Sequence, residues 1–223
     1  MKAAKRVTVF AGHYGSGKTN IAVNDALMLK NSGKEHVAIA DLDIVNPYFR
    51  TKDAEAMLEK NGIRLISSPY ANSNVDTPAL PAEAYAAVDD KSLYSVIDVG
   101  GDDRGALALG RYVPYIKSEN NYEMLFVINK NRFLTSDENG TLEVMREIEE
   151  SAGLRFTGIV NNSNLGSETT ADTVRKSLSY AEGVSRLSGL PIRFISVNEN
   201  LAEELSDVKD LFPIKLYIHQ SFM

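Results

Sequence analysis

The residues best suited to chemistry lie in a glycine-rich segment, GHYGSGKT, which runs from Gly12 to Thr19. The segment matches the pattern G-x-x-x-x-G-K-[ST] and lies between a strand-like stretch, VTVF, and a helical one. Glycines allow backbone N–H groups to turn inward around phosphate oxygens, and the start of a helix adds positive potential. Lys18 can neutralise the β- and γ-phosphates, and the Thr19 hydroxyl can ligate Mg²⁺. The segment therefore predicts a site for a nucleoside triphosphate.

Carboxylates follow two other strand-like stretches, and a phosphate loop needs such a group for Mg²⁺. The stretch VIDVGG contains Asp98, which can hold Mg²⁺ through water, and Gly101, whose N–H can reach the γ-phosphate. The stretch DLD places Asp41 and Asp43 two residues apart, on the same side of an extended strand. We predict that Asp43 orients or deprotonates the attacking water. Asp41 either belongs to the Mg²⁺ shell or has a structural role in a turn.

Short apolar stretches alternate with helical patterns along the chain, which is typical of a parallel sheet covered by helices. The seven predicted strands are RVTVFAG, HVAIADLD, IRLISSP, YSVIDVG, EMLFVIN, LRFTGIVN and IRFISVN. Helices are predicted to begin at or near Gly17, Thr51, Pro81, Arg104, Thr141 and Thr170. This order predicts a single α/β domain over residues 1–223, a P-loop NTPase with a mostly parallel sheet of about seven strands and helices on both faces. The long loop from Ser67 to Pro81 is either a lid or partner surface, or an ordinary surface excursion.

Composition excludes several classes of protein. The chain has 223 residues, 43% of them hydrophobic, a formal net charge of −6 and no cysteine. Without cysteine it can form no disulfide and has no thiol nucleophile, and the negative charge disfavours a nucleic-acid partner. No apolar run is long enough for a membrane span, and the sequence enters a strand-like segment without a secretory leader. We therefore expect a cytoplasmic protein.

The ordered set GHYGSGKT, DLD, VIDVGG, GIVNN and IRFISVNENLAEEL resembles the MinD/ParA/Mrp branch of the SIMIBI-class P-loop ATPases. That branch is related to dethiobiotin synthetase and to the CobQ/CbiA amidating synthetases. The resemblance implies an ATPase that commonly works as a nucleotide-sandwich homodimer, with an asparagine that holds adenine. In GIVNN this asparagine is Asn162, or Asn161 in the other register, and a turn-forming role is the alternative for Asn162. In VINKNR, Arg132 stands where a guanine-reading N-K-x-D motif has aspartate, which favours ATP over GTP.

The phosphate loop departs from this family at two positions. The family's loops usually begin G-K-G-G, with a lysine that crosses the dimer interface, whereas this loop has His13 and Tyr14. A neutral imidazole donates one hydrogen bond and carries no charge. Three alternatives follow: His13 is a protonated phosphate contact, Arg50 or Arg104 replaces the lysine's charge, or His13 and Tyr14 only shape the loop.

The sequence thus predicts a Mg²⁺-dependent ATP-binding protein that acts as a nucleotide-driven switch on a protein client or in cofactor maturation. The alternatives are a small-molecule ligase or kinase of the dethiobiotin-synthetase type and a regulatory nucleotide-binding module with negligible turnover. The predicted catalytic residues are His13, Lys18 and Asp43, and the predicted metal ligands are Thr19, Asp41 and Asp98. The predicted nucleotide contacts are Gly12, Tyr14, Gly15, Ser16, Gly17, Lys18, Thr19, Asn20, Gly101, Asn161 and Asn162.

Overall fold

The structure, a computed structural model, describes residues 4–42, 51–67, 85–101 and 103–218. The strands are β1 (Val7–Ala11), β2 (Val37–Leu42), β3 (Ile63–Ile66), β4 (Tyr94–Val99), β5 (Tyr122–Ile128), β6 (Gly158–Asn161), β7 (Ile192–Asn198) and β8 (Leu211–Ile214). They form one sheet in the order β3-β2-β4-β1-β5-β6-β7-β8. Every pairing between neighbouring strands is parallel. The predicted fold class is therefore confirmed.

All seven predicted strands are present, and β8 extends the sheet at one edge. The sequence of β8, LFPI, has only four residues and contains a proline, so it gives a weak strand signal. Proline cannot donate a ladder hydrogen bond and is tolerated in edge strands. This strand was missed for that reason.

Helices connect the strands. They are α1 (Lys18–Asn31), α2 (Glu55–Lys60), α3 (Ala86–Asp89), α4 (Asp103–Gly110), α5 (Val113–Glu119), α6 (Glu138–Ala152) and α7 (Ala171–Ser188). Helix α6 begins at Glu138 rather than at Thr141, because the Asp137 side chain accepts hydrogen bonds from the first backbone N–H groups. Helix α5 was not predicted, and the start predicted near Pro81 lies outside the described residues. No helix in the described ranges is long and apolar enough to cross a membrane.

The central strands are apolar on both faces, as the sequence predicts. On one face, Phe10 of β1, Ile39 of β2 and Val96 of β4 pack with Ile21 of α1. On the other face, Val9 and its neighbours pack in a second cluster together with residues of α4, α5 and α6. The helix that follows the phosphate loop is thereby fixed to the middle of the sheet by apolar burial.

One polar side chain of α1 is buried in this interface. Asp25 is 7% exposed, and its Oδ2 atom has no hydrogen-bond partner among the described residues. Burial, and to a smaller degree the nearby Glu123 carboxylate, raises the pKa of Asp25 to about 7. The carboxyl group is therefore protonated in the folded protein over much of the acidic range.

The raised pKa predicts a falling stability between about pH 4 and about pH 7. Below the unfolded pKa of 3.8 both states are protonated. Above it the unfolded chain releases the proton first, so the free energy of unfolding decreases until the folded group also ionises. We expect Asp25→Asn to remove this decrease, which amounts to a few kcal/mol. Urea titrations across the pH range measure it.

The matched control is Asp89→Asn, because Asp89 is exposed at the end of α3. It should retain the pH dependence of the wild-type protein. If Asp25→Asn and Asp89→Asn show the same dependence as the wild-type protein, Asp25 does not titrate in the way described.

Candidate functional site

The loop between β1 and α1 has the backbone that the glycine pattern predicts. Gly15 and Gly17 have φ angles of 75° and 89°, in the region that favours glycine. The N–H of Ser16 donates to the His13 carbonyl at 3.1 Å, which closes a turn within the loop. Lys18 begins α1 directly after this turn. The loop lies at the carboxyl edge of the sheet, where ligands bind in open α/β folds.

The first part of the loop packs against strand β5. A Cβ atom on Gly12 would lie 2.4 Å from the backbone oxygen of Val127, so this position requires glycine. The Ser16 side chain is 2% exposed, and its hydroxyl has no hydrogen-bond partner among the described residues. Glycine at position 12 therefore lets the loop pack closely against β5, beside the buried Ser16 hydroxyl.

Asn162, at the end of β6, holds the loop from outside. Its Nδ2 donates to the Ser16 carbonyl at 2.7 Å, and its Oδ1 accepts from Ser196 Oγ at 2.8 Å. Since the C=O and N–H of one peptide point in opposite directions, fixing this carbonyl also fixes the N–H of Gly17. A Cβ on Gly17 would lie 2.2 Å from Asn162 Nδ2. Asn162 therefore sets the shape of the loop.

A second side chain contacts the neighbouring carbonyl. Arg132, which follows β5, donates from Nε to the Gly15 carbonyl at 2.9 Å. Its guanidinium carbon would lie 3.1 Å from a Cβ on Gly15. The segments that follow strands β5 and β6 thus each contribute one side chain that contacts the phosphate loop.

Lys18 and Gly101 lie together at the inner side of the loop. The Lys18 side chain is 7% exposed, and its Nζ donates to the His13 carbonyl at 3.3 Å. A Cβ on Gly101 would lie 3.1 Å from Lys18 Nζ and 2.6 Å from the Cα of Tyr14. The structure brings these predicted site residues together, and the close approach requires glycine at position 101.

Asp41 and Asp98 are register partners on the adjacent strands β2 and β4. Both are buried, and the Thr51 hydroxyl donates to Asp98 Oδ2 at 3.2 Å. Neighbouring carboxylates favour a nearby cation, and Mg²⁺ prefers oxygen ligands of this kind. Within the described part of the chain, no group of three histidine, aspartate or glutamate side chains could hold a metal alone. This donor set fits a Mg²⁺ ion that also takes oxygen ligands from phosphate.

The two unusual residues of the loop differ in exposure. His13 is half-buried, whereas Tyr14 is 55% exposed. Burial lowers the pKa of His13, and the charges of Lys18 and Arg132 lower it further, with Glu147 opposing them. The imidazole is therefore neutral near pH 7 in this arrangement. A protonated His13 would require anionic charge at the loop.

Two side chains that are predicted to contact the nucleotide form hydrogen bonds within the protein. Asn20 accepts hydrogen bonds from the N–H groups of Tyr217 (2.9 Å) and Ile218 (3.1 Å) and donates to the Ile218 carbonyl at 3.0 Å. Asn161 is fully buried and donates to Ser177 Oγ at 2.9 Å. Non-local backbone and side-chain partners thus hold both amides in this structure. The role of either side chain at a nucleotide remains a prediction.

Other predicted positions cannot be placed. Asp43, Arg50 and most of the loop from Ser67 to Pro81 lie outside the described residues, as does the side chain of Arg104. Thr19 lies in the first turn of α1 and is half-buried. The sequence prediction did not include Arg132, Thr51 or Ser196 as site residues. The position of Arg132 just after a strand was the signal that could have identified it.

The fold and the site together define a class of protein. A parallel sheet has a glycine-rich loop after its first strand, a lysine and a threonine at the start of the next helix, and acidic residues on neighbouring strands. This is the P-loop NTPase-like α/β fold.

Solved structures of FtsY proteins share this fold. The cell division protein FtsY of Thermotoga maritima matches with a TM-score of 0.62 and 22% identity over 97% of this chain and 67% of that chain. Chloroplast FtsY of Physcomitrella patens matches with a TM-score of 0.59 and 20% identity over 89% of this chain and 60% of that one. The signal recognition particle receptor FtsY of Elizabethkingia anophelis, in complex with GDP, matches with a TM-score of 0.54 and 16% identity over 89% and 58%.

These similarities show the P-loop α/β fold, and they do not support the narrower MinD/ParA or CobQ/CbiA assignment. The chain spans roughly three fifths to two thirds of the length of these neighbours. No family model matches the chain. No curated protein matches it either.

Proposed function

We propose that this protein binds ATP with Mg²⁺ at the loop from Gly12 to Thr19 and hydrolyses it slowly as a molecular switch. The observation that carries the proposal is the loop itself, whose Ser16 and Gly15 carbonyls accept hydrogen bonds from Asn162 and Arg132 and which is followed at once by Lys18. A loop of this shape directs N–H groups and a helix N-terminus towards phosphate oxygens. The GDP in one FtsY neighbour is consistent with nucleotide binding.

Each residue has a chemical role in this proposal. Lys18 neutralises charge on the β- and γ-phosphates, and the N–H of Gly101 donates to the γ-phosphate. Thr19, Asp41 and Asp98 provide oxygen ligands for Mg²⁺, directly or through water, and the bound ion supplies further charge neutralisation. Asp43 orients the attacking water.

ATP is preferred to GTP in this proposal because the guanine-reading groups are missing or engaged elsewhere. Arg132 replaces the aspartate that would pair with guanine, and it donates to the Gly15 carbonyl. Asn129 is fully buried, and its Oδ1 accepts from the N–H of Asn131 at 3.0 Å. GTP is the second candidate, supported by the GDP complex of the Elizabethkingia neighbour.

A specific contact favours the switch over the ligase or kinase alternative. The Thr51 hydroxyl donates to Asp98, so the chain just after residues 43–50 is linked to a proposed Mg²⁺ ligand. A change at the ion then alters this contact and can be transmitted to a client. Formation of a nucleotide-sandwich homodimer remains part of the proposal, and a turnover rate per chain that rises with protein concentration would support it.

The experiment that tests this function is phosphate release from ATP and from GTP with Mg²⁺. Wild type, Asp43→Ala and the control Asp89→Ala are compared, each with and without a small-molecule filtrate of cell extract. We expect slow ATP turnover that is indifferent to the filtrate, unchanged in Asp89→Ala and abolished in Asp43→Ala. Turnover that depends on the filtrate would instead indicate a ligase or kinase. Faster release from GTP than from ATP would contradict the assignment of ATP.

A further inference from the structure

Arg132 lies beside the phosphate loop with only part of its guanidinium group engaged. Its Nε donates to the Gly15 carbonyl, whereas its two terminal amino groups make no hydrogen bond to a residue that the structure describes. Nor does any carboxylate in the described ranges lie within 4.0 Å of it as a salt-bridge partner. The residue is half-buried, and its position is fixed by the Nε contact. A positioned arginine with no acidic partner among the residues that the structure describes is suited to an anionic ligand.

The position of the Arg132 guanidinium group against the loop depends on the residue at position 15. The space that a Cβ on Gly15 would occupy lies 3.1 Å from the guanidinium carbon and 3.2 Å from Nε. Glycine at this position therefore lets the guanidinium lie against the loop backbone.

Arg132 and Lys18 also act on the same neighbour. Both positive charges lower the pKa of His13, so the three side chains share one electrostatic environment. His13 is neutral there and adds no positive charge to the loop. Lys18 and Arg132 thus place two cationic side chains beside the loop.

We infer that Arg132 binds the polyphosphate of the nucleotide and supplies, from within the same chain, the positive charge that His13 does not. Its Nε contact with Gly15 orients the guanidinium, and its terminal amino groups donate to phosphate oxygens. The inference rests on the proposed function, because it requires a nucleotide at the loop. It differs from the alternative in which Arg50 or Arg104 supplies positive charge at the loop.

The test measures dissociation constants by calorimetry for two ligands, ATP with Mg²⁺ and inorganic triphosphate with Mg²⁺. The variants are Arg132→Gln, Arg132→Lys and the control Arg64→Gln, which changes an exposed arginine on the edge strand β3. We expect Arg132→Gln to weaken both ligands by about 10- to 100-fold, the range for a charged hydrogen bond. Arg132→Lys should retain part of the affinity, and Arg64→Gln should bind as wild type does.

The dependence of the affinity loss on salt concentration distinguishes an electrostatic role of Arg132 from a purely structural one. The loss in Arg132→Gln should be larger at low salt than at high salt, because ions screen an electrostatic contribution. An equal loss at both salt concentrations would assign Arg132 to loop shape alone and would overturn the inference.

The remaining outcomes distinguish the two proposals. If wild type binds neither ligand, the proposed function itself fails. If wild type binds both and Arg132→Gln binds as tightly as Arg64→Gln, the function stands and the role of Arg132 is wrong. A loss confined to ATP would place the contact at the base or sugar, which also contradicts the inference.

Discussion

Lys18→Ala is expected to weaken the binding of ATP with Mg²⁺ by about a hundred- to a thousandfold. The Lys18 side chain is buried at the inner side of the loop, with its ammonium group near the His13 carbonyl and close to Gly101. Removing one partner from a buried contact between charges costs roughly 2–5 kcal/mol. The loss should therefore exceed that of the half-buried Arg132. Calorimetric titration of purified wild type and variant measures the effect.

The matched control for this variant is Lys60→Ala, because Lys60 is exposed at the end of α2. It should bind ATP as wild type does. Urea unfolding of both variants shows whether the fold is intact. If Lys18→Ala is folded and binds ATP as tightly as Lys60→Ala, Lys18 has no role at the phosphates.

Gly17→Ala is expected to deform the phosphate loop, to destabilise the protein and to abolish measurable nucleotide binding. The φ angle of Gly17 is 89°, and the added Cβ would lie only 2.2 Å from Asn162 Nδ2. The loop must move away from Asn162 or lose the hydrogen bond from this amide to the Ser16 carbonyl. Urea unfolding and calorimetric titration measure the two effects.

Gly33→Ala is a closely matched control for backbone strain. Gly33 has a φ angle of 90°, and a Cβ there would meet nothing within 4 Å. It should show only the strain of a left-handed residue, roughly 1–2 kcal/mol, and retain nucleotide binding. Equal destabilisation in Gly17→Ala and Gly33→Ala would contradict the packing of Asn162 on the loop.

A double variant isolates the contact with Asn162. Asn162→Ala removes the amide that the new Cβ would meet, so Gly17→Ala combined with Asn162→Ala should be more stable than the sum of the single effects predicts. Strictly additive free energies of unfolding would show that the two residues do not interact.

Much of the fold could be predicted because the central strands have unambiguous signals. Strands such as VTVFA and YSVIDV have apolar residues on both faces, and this pattern, alternating with helical segments, is typical of buried parallel strands. The short, proline-containing β8 carries no such signal and is recognisable only through its pairing with β7. The sequence predicts that helix α6 begins near Thr141, whereas it begins at Glu138, because its capping residue, Asp137, precedes the apolar residues of the helix.

The candidate site was predictable where local spacing determines it. The loop from Gly12 to Thr19 and the strand ends at Asp41 and Asp98 follow from motif and strand order, and the register places these two aspartates side by side. The side chains that hold the loop could not be predicted in this way, because Arg132 and Gly15, which form a hydrogen bond, lie 117 positions apart in sequence. Periodicity contains no information about such a contact.

Asn20 has partners that the local sequence does not indicate. It immediately follows the loop, and a nucleotide contact at this position remains a prediction. In the structure its amide pairs with the backbone of Tyr217 and Ile218, almost the full chain length away. Such a pairing depends on where the segment after β8 lies, which the local sequence around Asn20 does not determine.

The most direct test of the central claim is equilibrium dialysis of wild-type protein against labelled ATP and Mg²⁺, with ADP and GTP as competitors. We predict saturable binding of one ATP per chain, displaced readily by ADP and poorly by GTP. Absence of saturable binding by any of these nucleotides would contradict the assignment of the loop from Gly12 to Thr19 as a nucleotide site.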